Sequence, residues 1–214
     1  MRELALVLYE GFTALDAIGP YEVLSRVPDL EPVFVASAPG PQRTDAGATV
    51  LAEAGLGDVP APEIVLVPGG PGQEAALGDQ ALLGWLRQVH ERSEYTTSVC
   101  TGSLVLAAAG LLEGRRATSH WLALERLGEM GAHPVAERIV QDGKIITCAG
   151  VSAGIDMGLD LAARLAGEPV ARAIQLGLEY DPQPPWDAGS PAKAQPETVA
   201  LLRAASRHAL DGER

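Results

Sequence analysis

Three runs that are apolar at nearly every position constrain this chain most. Leu4 to Tyr9 reads LALVLY, Pro32 to Ser37 reads PVFVAS, and Ile64 to Val67 reads IVLV. A strand with one wet face alternates apolar and polar side chains, because successive residues point to opposite sides of the sheet. A run without alternation is buried on both sides, as in a parallel sheet covered by helices.

Segments with helical apolar spacing fall between and after these runs. They are Leu15 to Val27, with Gly19-Pro20 expected near its first turn, Ala81 to Glu91, and Leu104 to Ala109, broken at Gly110. Further on come Ala153 to Leu165, with Ser152 as a candidate N-cap and Gly167 as the stop, then Glu168 to Tyr180 and Glu197 to Ala209. Thr96 to Val99 is a short β-prone run. Residues 39–62 have room for a small hairpin, and Arg138 to Cys148 reads as a hairpin turning at Asp142-Gly143. The alternation predicts an α/β fold: a mostly parallel sheet with helices on both faces. The domain is expected over residues 1–180. Residues 181–214, a proline-rich loop and a last helix, are expected to pack on it or on a partner subunit.

A chain of 214 residues suits one such domain. Only 4% of it is aromatic, so aliphatic side chains must fill the core. The net charge of −12, with Arg115-Arg116 as the densest basic patch, argues against nucleic-acid binding. No stretch approaches the roughly 20 apolar residues of a membrane helix. Met1 leads straight into a strand-like run, without the pattern of a signal peptide, so a cytoplasmic location is expected. The two cysteines, Cys100 and Cys148, form no Cys-x-x-Cys. The histidines (His90, His120, His133, His208) are scattered, so the sequence supports no zinc site.

Ligands of such sheets bind at the carboxyl ends of the strands. Asp16, Gly69-Gly70 and Cys100 all fall there. The run Ser98-Val-Cys-Thr-Gly-Ser103 sets a thiol where a strand meets a helix, the arrangement of a nucleophile elbow. A helix N-terminus there is expected to lower the thiol pKa and to offer N–H groups to developing negative charge. A buried structural cysteine fits the same local pattern. Cys148, between Thr147 and Ala149, reads as a small hydrophobe. Asp16, among Leu15, Ala17 and Ile18, is either a helix cap or a site acid/base, with Glu22 as a rival carboxylate. His120 beside Trp121 either lines the pocket or is structural. The loop Pro68-Gly-Gly-Pro-Gly72 lacks dinucleotide spacing, but the Gly70 N–H can complete an oxyanion hole.

Five motifs together resemble the DJ-1/PfpI superfamily: Asp16-Ala-Ile-Gly-Pro-Tyr-Glu-Val23, Leu66-Val-Pro-Gly-Gly70, Ser98-Val-Cys-Thr-Gly102, Ala117-Thr-Ser-His-Trp121 and Cys148-Ala-Gly-Val-Ser-Ala-Gly-Ile-Asp156. The resemblance covers nearly the whole chain. It implies a flavodoxin-like fold related to class I glutamine amidotransferases. Family proteases and glyoxalases carry a histidine after the nucleophilic cysteine, where this chain has Thr101. DJ-1 itself places a glutamate near its cysteine, where this chain has Asp16. The pattern is most similar to the isonitrile hydratase branch. It is also similar to the sensor domain of AraC-type regulators, although the residues after Tyr180 look too few and too acidic for a helix-turn-helix module.

The resemblance implies hydration of an isonitrile to an N-substituted formamide. Cys100 is the expected nucleophile, Asp16 the acid/base, and Thr101 the group that orients Asp16 or water. Gly70, Gly102 and His120 are the expected substrate-binding and oxyanion residues. No metal or organic cofactor is implied, and a homodimer is. The alternative is a redox or ligand sensor in which Cys100 is oxidised without turnover.

Overall fold

The aliphatic runs become the inner strands of one seven-stranded sheet. A computed structural model describes the backbone of residues 1–210 and the side chains of residues 1–205. In chain order the elements are β1 (Arg2–Val7), α1 (Ala14–Leu24), β2 (Leu30–Ala36), β3 (Gly40–Arg43), β4 (Thr49–Ala52), β5 (Ala54–Gly55) and a 3-10 turn (Leu56–Asp58). β6 (Ile64–Val67), α2 (Gln73–Ala76), α3 (Gln80–Arg92), β7 (Tyr95–Val99), α4 (Gly102–Ala108), β8 (Arg116–Ala117), a 3-10 turn (Trp121–Ala123) and α5 (Leu124–Glu129) follow. The last are β9 (His133–Pro134), β10 (Ile139–Asp142), β11 (Ile145–Cys148), α6 (Ala153–Ala166), α7 (Glu168–Gly177) and α8 (Pro196–Leu210).

The strand order is β10-β11-β7-β6-β1-β2-β5, parallel throughout except for β10. The chain winds outward from β1 to β2, then returns to lay β6 on the other side of β1. That reversal opens a crevice beyond the carboxyl ends of β1 and β6, where doubly wound sheets bind ligands. β3 and β4 form the small hairpin expected between residues 39 and 62.

Burial on both faces explains the missing alternation. Leu4, Leu6 and Leu66 pack with Val23 of α1 and with Met157 and Leu161 of α6. Ala5, Val7, Val65 and Val67 pack on the other side, with Leu82, Leu86 and Val89 of α3 and Leu104 of α4. Two glycines of α6 let it close on α1. A Cβ at Gly154 would stand 3.1 Å from Pro20 Cδ and 3.2 Å from Val99 Cγ2, and one at Gly158 would stand 3.1 Å from Val23 Cβ.

Several local expectations are corrected. Pro20 lies inside α1, not in its first turn, so the helix lacks the N–H that would bond the carbonyl of Asp16. Asp142 pairs with Ile145, so the two-residue loop of the β10–β11 hairpin is Gly143-Lys144, with Gly143 at φ 62. Ser152 precedes α6 but makes no side-chain cap bond. α7 ends at Gly177, short of Tyr180. At the far end, the Arg203 guanidinium lies 5.8 Å from the Trp121 ring centroid, so α8 abuts the 3-10 turn at Trp121–Ala123. Residues 211–214 lie outside the described residues. Among the described residues, no helix is long and apolar enough to cross a membrane.

Candidate active site

The three strand-end segments singled out in the sequence meet at the crevice. Cys100 follows β7 with φ 57, a left-handed backbone that a non-glycine residue adopts at a cost of roughly 1–2 kcal/mol. Its surroundings hold it there. The Cys100 N–H donates to the carbonyls of Cys148 and Ala149, each at 3.1 Å. The Cys100 carbonyl accepts from Ser103 Oγ at 3.3 Å and Ser119 Oγ at 3.1 Å. The loop after β6 passes so close that a Cβ at Gly69 would lie 2.5 Å from the Thr101 nitrogen.

Asp16 is the third residue of α1, and Thr13 holds the N-cap position, so the capping reading fails. The side chain is fully buried. Its Oδ2 accepts from the Gly69 N–H at 2.9 Å, while Oδ1 has no partner of ordinary hydrogen-bond geometry. The Cys100 thiol is the side chain that couples to it. Glu22, the rival carboxylate, pairs with Arg26 in solvent.

Burial controls how both groups titrate. It lifts the Asp16 carboxyl from 3.8 to about 7, with the Gly69 N–H and the thiol opposing the rise. It pushes the Cys100 thiol up to about 12, and the charge of Asp16 adds to the effect. The expected depression of the thiol pKa is therefore overturned. The N–H groups of Val151 and Thr101 do point to the sulfur and favour the thiolate, but desolvation outweighs them. At rest the proton sits on sulfur, and the group that titrates near neutrality is the carboxyl.

A cavity of about 220 Å³ opens over the thiol. Of the residues expected from sequence, Cys100, Thr101, Gly70 and His120 line it. Gly102 does not. It starts α4, and a Cβ there would stand 2.2 Å from the Val67 carbonyl oxygen, so its role is close packing. The Gly70 N–H donates to Thr101 Oγ1 at 3.0 Å and is not free for an oxyanion. In that bond the Thr101 hydroxyl is the acceptor, and its own proton stays available to donate. The donors around the sulfur are instead the backbone N–H groups of Thr101 and Val151.

His120 Nδ1 accepts from the Leu122 N–H at 3.4 Å, and burial lowers its pKa, so the ring is neutral at pH 7. Cys148 is fully buried, and burial raises its thiol well above the ordinary range. Sequence reasoning did not single out the other pocket residues, Thr13, Pro71, Gln73, Leu122, Ala123 and Val151. Gln73 directly follows the glycine-rich loop, a placement that marks it in retrospect. Val151 sits at φ 38, and nothing about a valine signals that. A wider, shallow groove between Arg26 and α7 holds no nucleophile. Among the described residues, no cluster of three or more His, Cys, Asp or Glu side chains is placed to hold a metal ion.

Known proteins resemble this chain in sequence and fold. The chain is 41% identical over 201 residues to an isonitrile hydratase of Pseudomonas putida, covering 94% of this chain and 88% of the relative. It is 35% identical to the HTH-type transcriptional regulator CdhR of Pseudomonas aeruginosa, over 81% of this chain and 53% of the regulator. The crystal structure of a ThiJ/PfpI family protein from Pseudomonas syringae superposes with a TM-score of 0.94 at 36% identity, covering 97% of this chain and 86% of that one. Drosophila melanogaster DJ-1beta, 23% identical, shares the fold with a TM-score of 0.75 over 83% of this chain and 97% of its own. The DJ-1/PfpI family model matches residues 2–164, the stretch that carries the sheet, Asp16, the β6 loop and the Cys100 elbow. The chain belongs to the DJ-1/PfpI family.

Proposed function

We propose that this protein adds water to an isonitrile, R–N≡C, to give the formamide R–NH–CHO. The observation that carries the reading is the buried pair of Cys100 and Asp16, with Thr101 rather than a histidine after the nucleophile. An isonitrile carbon accepts a proton and a nucleophile at the same atom. A protonated thiol coupled to a carboxylate of pKa about 7 is matched to that demand. The similarity to an isonitrile hydratase supports the same chemistry.

The steps balance. Asp16 takes the Cys100 proton and delivers it to the isonitrile carbon as sulfur bonds to that carbon, giving R–N=CH–S–Cys100. The N–H groups of Thr101 and Val151 stabilise the sulfur as it loses its proton. Asp16 then accepts a proton from water as the oxygen adds to the same carbon, and passes that proton to the nitrogen. The adduct R–NH–CH(OH)–S–Cys100 gives its hydroxyl proton to Asp16 and expels the Cys100 thiolate, which takes that proton back from Asp16 as the formamide leaves. Thiol and carboxyl supply every function, so the reaction calls for no metal or organic cofactor. The cavity of about 220 Å³, walled by Pro71, Leu122, Ala123 and Val151, suits a compact, uncharged R group.

The test is incubation with cyclohexyl isocyanide and a panel of small isonitriles, with formamide followed by NMR. Wild type turns over, and Cys100→Ala and Asp16→Ala do not. A wild type inert to the whole panel refutes the reading. The sensor alternative requires a readily oxidised thiol, whereas Cys100 is only 6% exposed and its pKa is pushed up to about 12, both of which slow attack on peroxide. A homodimer belongs to the proposal, and light scattering checks it.

A further inference from the structure

The chemistry above leaves unused a buried polar side chain of the pocket whose acceptor is unanswered. Gln73 lines the cavity and is 2% exposed. Its Oε1 is buried without a hydrogen-bond partner. An unanswered buried acceptor costs roughly 1–3 kcal/mol, so a donor is expected to reach it at some stage of the protein's work. The orientation of the amide is fixed. Gln73 Nε2 donates to Glu74 Oε1 at 3.4 Å, and the carboxylate of Glu74 is gripped by Arg126, whose Nη2 lies 3.0 Å from Glu74 Oε2. A carboxylate only accepts, so it holds the NH₂ side and leaves the carbonyl oxygen buried and unanswered in the cavity wall.

We infer that Gln73 Oε1 is the subsite for an N–H group next to the carbon bound by Cys100, so that this pocket takes secondary formamides and the adducts leading to them. The inference rests on the proposed hydration. The isonitrile group has no hydrogen to donate, so Oε1 stays unanswered when substrate enters. The N–H appears only once water has added and the nitrogen is protonated. An interaction made late in the reaction and not with substrate raises kcat and leaves KM nearly unchanged.

The experiment compares two probes by calorimetry: N-cyclohexylformamide, which has the N–H, and N-cyclohexyl-N-methylformamide, which lacks it. Wild type should favour the secondary amide. In Gln73→Met, close in size to glutamine, that preference should shrink about tenfold, the worth of one hydrogen bond with its desolvation. The methyl group's steric penalty is common to both proteins and cancels in the ratio. For turnover of cyclohexyl isocyanide, kcat should fall about tenfold with KM unchanged. Equal preference ratios in the two proteins, as expected if a water already satisfies Oε1, overturn the inference, and so does failure of wild type to bind the secondary formamide. A wild type that prefers the N–H probe, loses the preference with Gln73→Met, and yet hydrates no isonitrile leaves the subsite standing and removes the hydratase reading alone.

Discussion

Replacing Asp16 by Asn nearly preserves the shape of the buried acid and abolishes its titration. Burial lifts this carboxyl from 3.8 to about 7, so the folded protein keeps a proton that the unfolded chain gives up. The rise spans roughly three pH units at about 1.4 kcal/mol each, so the ionised carboxylate destabilises the fold by about 4 kcal/mol. Between about pH 4 and pH 7 the native state binds the extra proton. Stability therefore falls as pH rises through that window and levels off above it. The amide of D16N carries no such penalty, and its carbonyl can still accept from the Gly69 N–H. Between pH 5.5, clear of the pI near 4.7, and pH 8.5, D16N should gain about 2 kcal/mol on wild type, roughly half of the full effect. Urea unfolding followed through the buried Trp85 measures both proteins. His90 and His120, whose pKa values are lowered by burial, slope the other way in both proteins and cancel in the difference. A difference between the two that stays flat from pH 5.5 to 8.5 would show that Asp16 is not the perturbed acid described here.

Two further outcomes follow from the same pair. The profile of kcat/KM against pH should have an acid limb with a midpoint near 7 from Asp16, and no second limb from the thiol below about pH 10; a limb at 8 to 9 refutes the raised thiol. Cys100→Gly and Cys100→Ala should both be inactive, but the glycine variant should be the more stable by about 1 kcal/mol, because only glycine accepts φ 57 without strain. Equal urea midpoints count against strain at the elbow.

The sheet is legible because a strand buried on both faces states that fact in every residue, as Leu4 to Val7 and Ile64 to Val67 do. The hairpin turn slips by one position because Gly143 suits both Asp142-Gly143 and Gly143-Lys144. The elbow is legible from a cysteine followed by Thr101 and Gly102. Its electrostatics are not. The sequence displays a helix start, which favours the thiolate, but hides the burial that segments remote in the chain impose on Cys100, and burial decides the sign. The partner of Gly70 is hidden in the same way, because the bond from its N–H to the Thr101 hydroxyl joins two loops that only the fold brings together. Gln73 becomes visible only once its unanswered oxygen and the carboxylate beside it are in view.

Gly154 sets a spacing. It touches both Pro20, on the helix that bears the acid, and Val99, the residue before the nucleophile. The helix that bears the acid and the strand that ends at the nucleophile are thus both packed against a third element at a point where it has no side chain. A side chain there would act as a shim, easing the two halves of the catalytic pair apart while leaving both chemically intact.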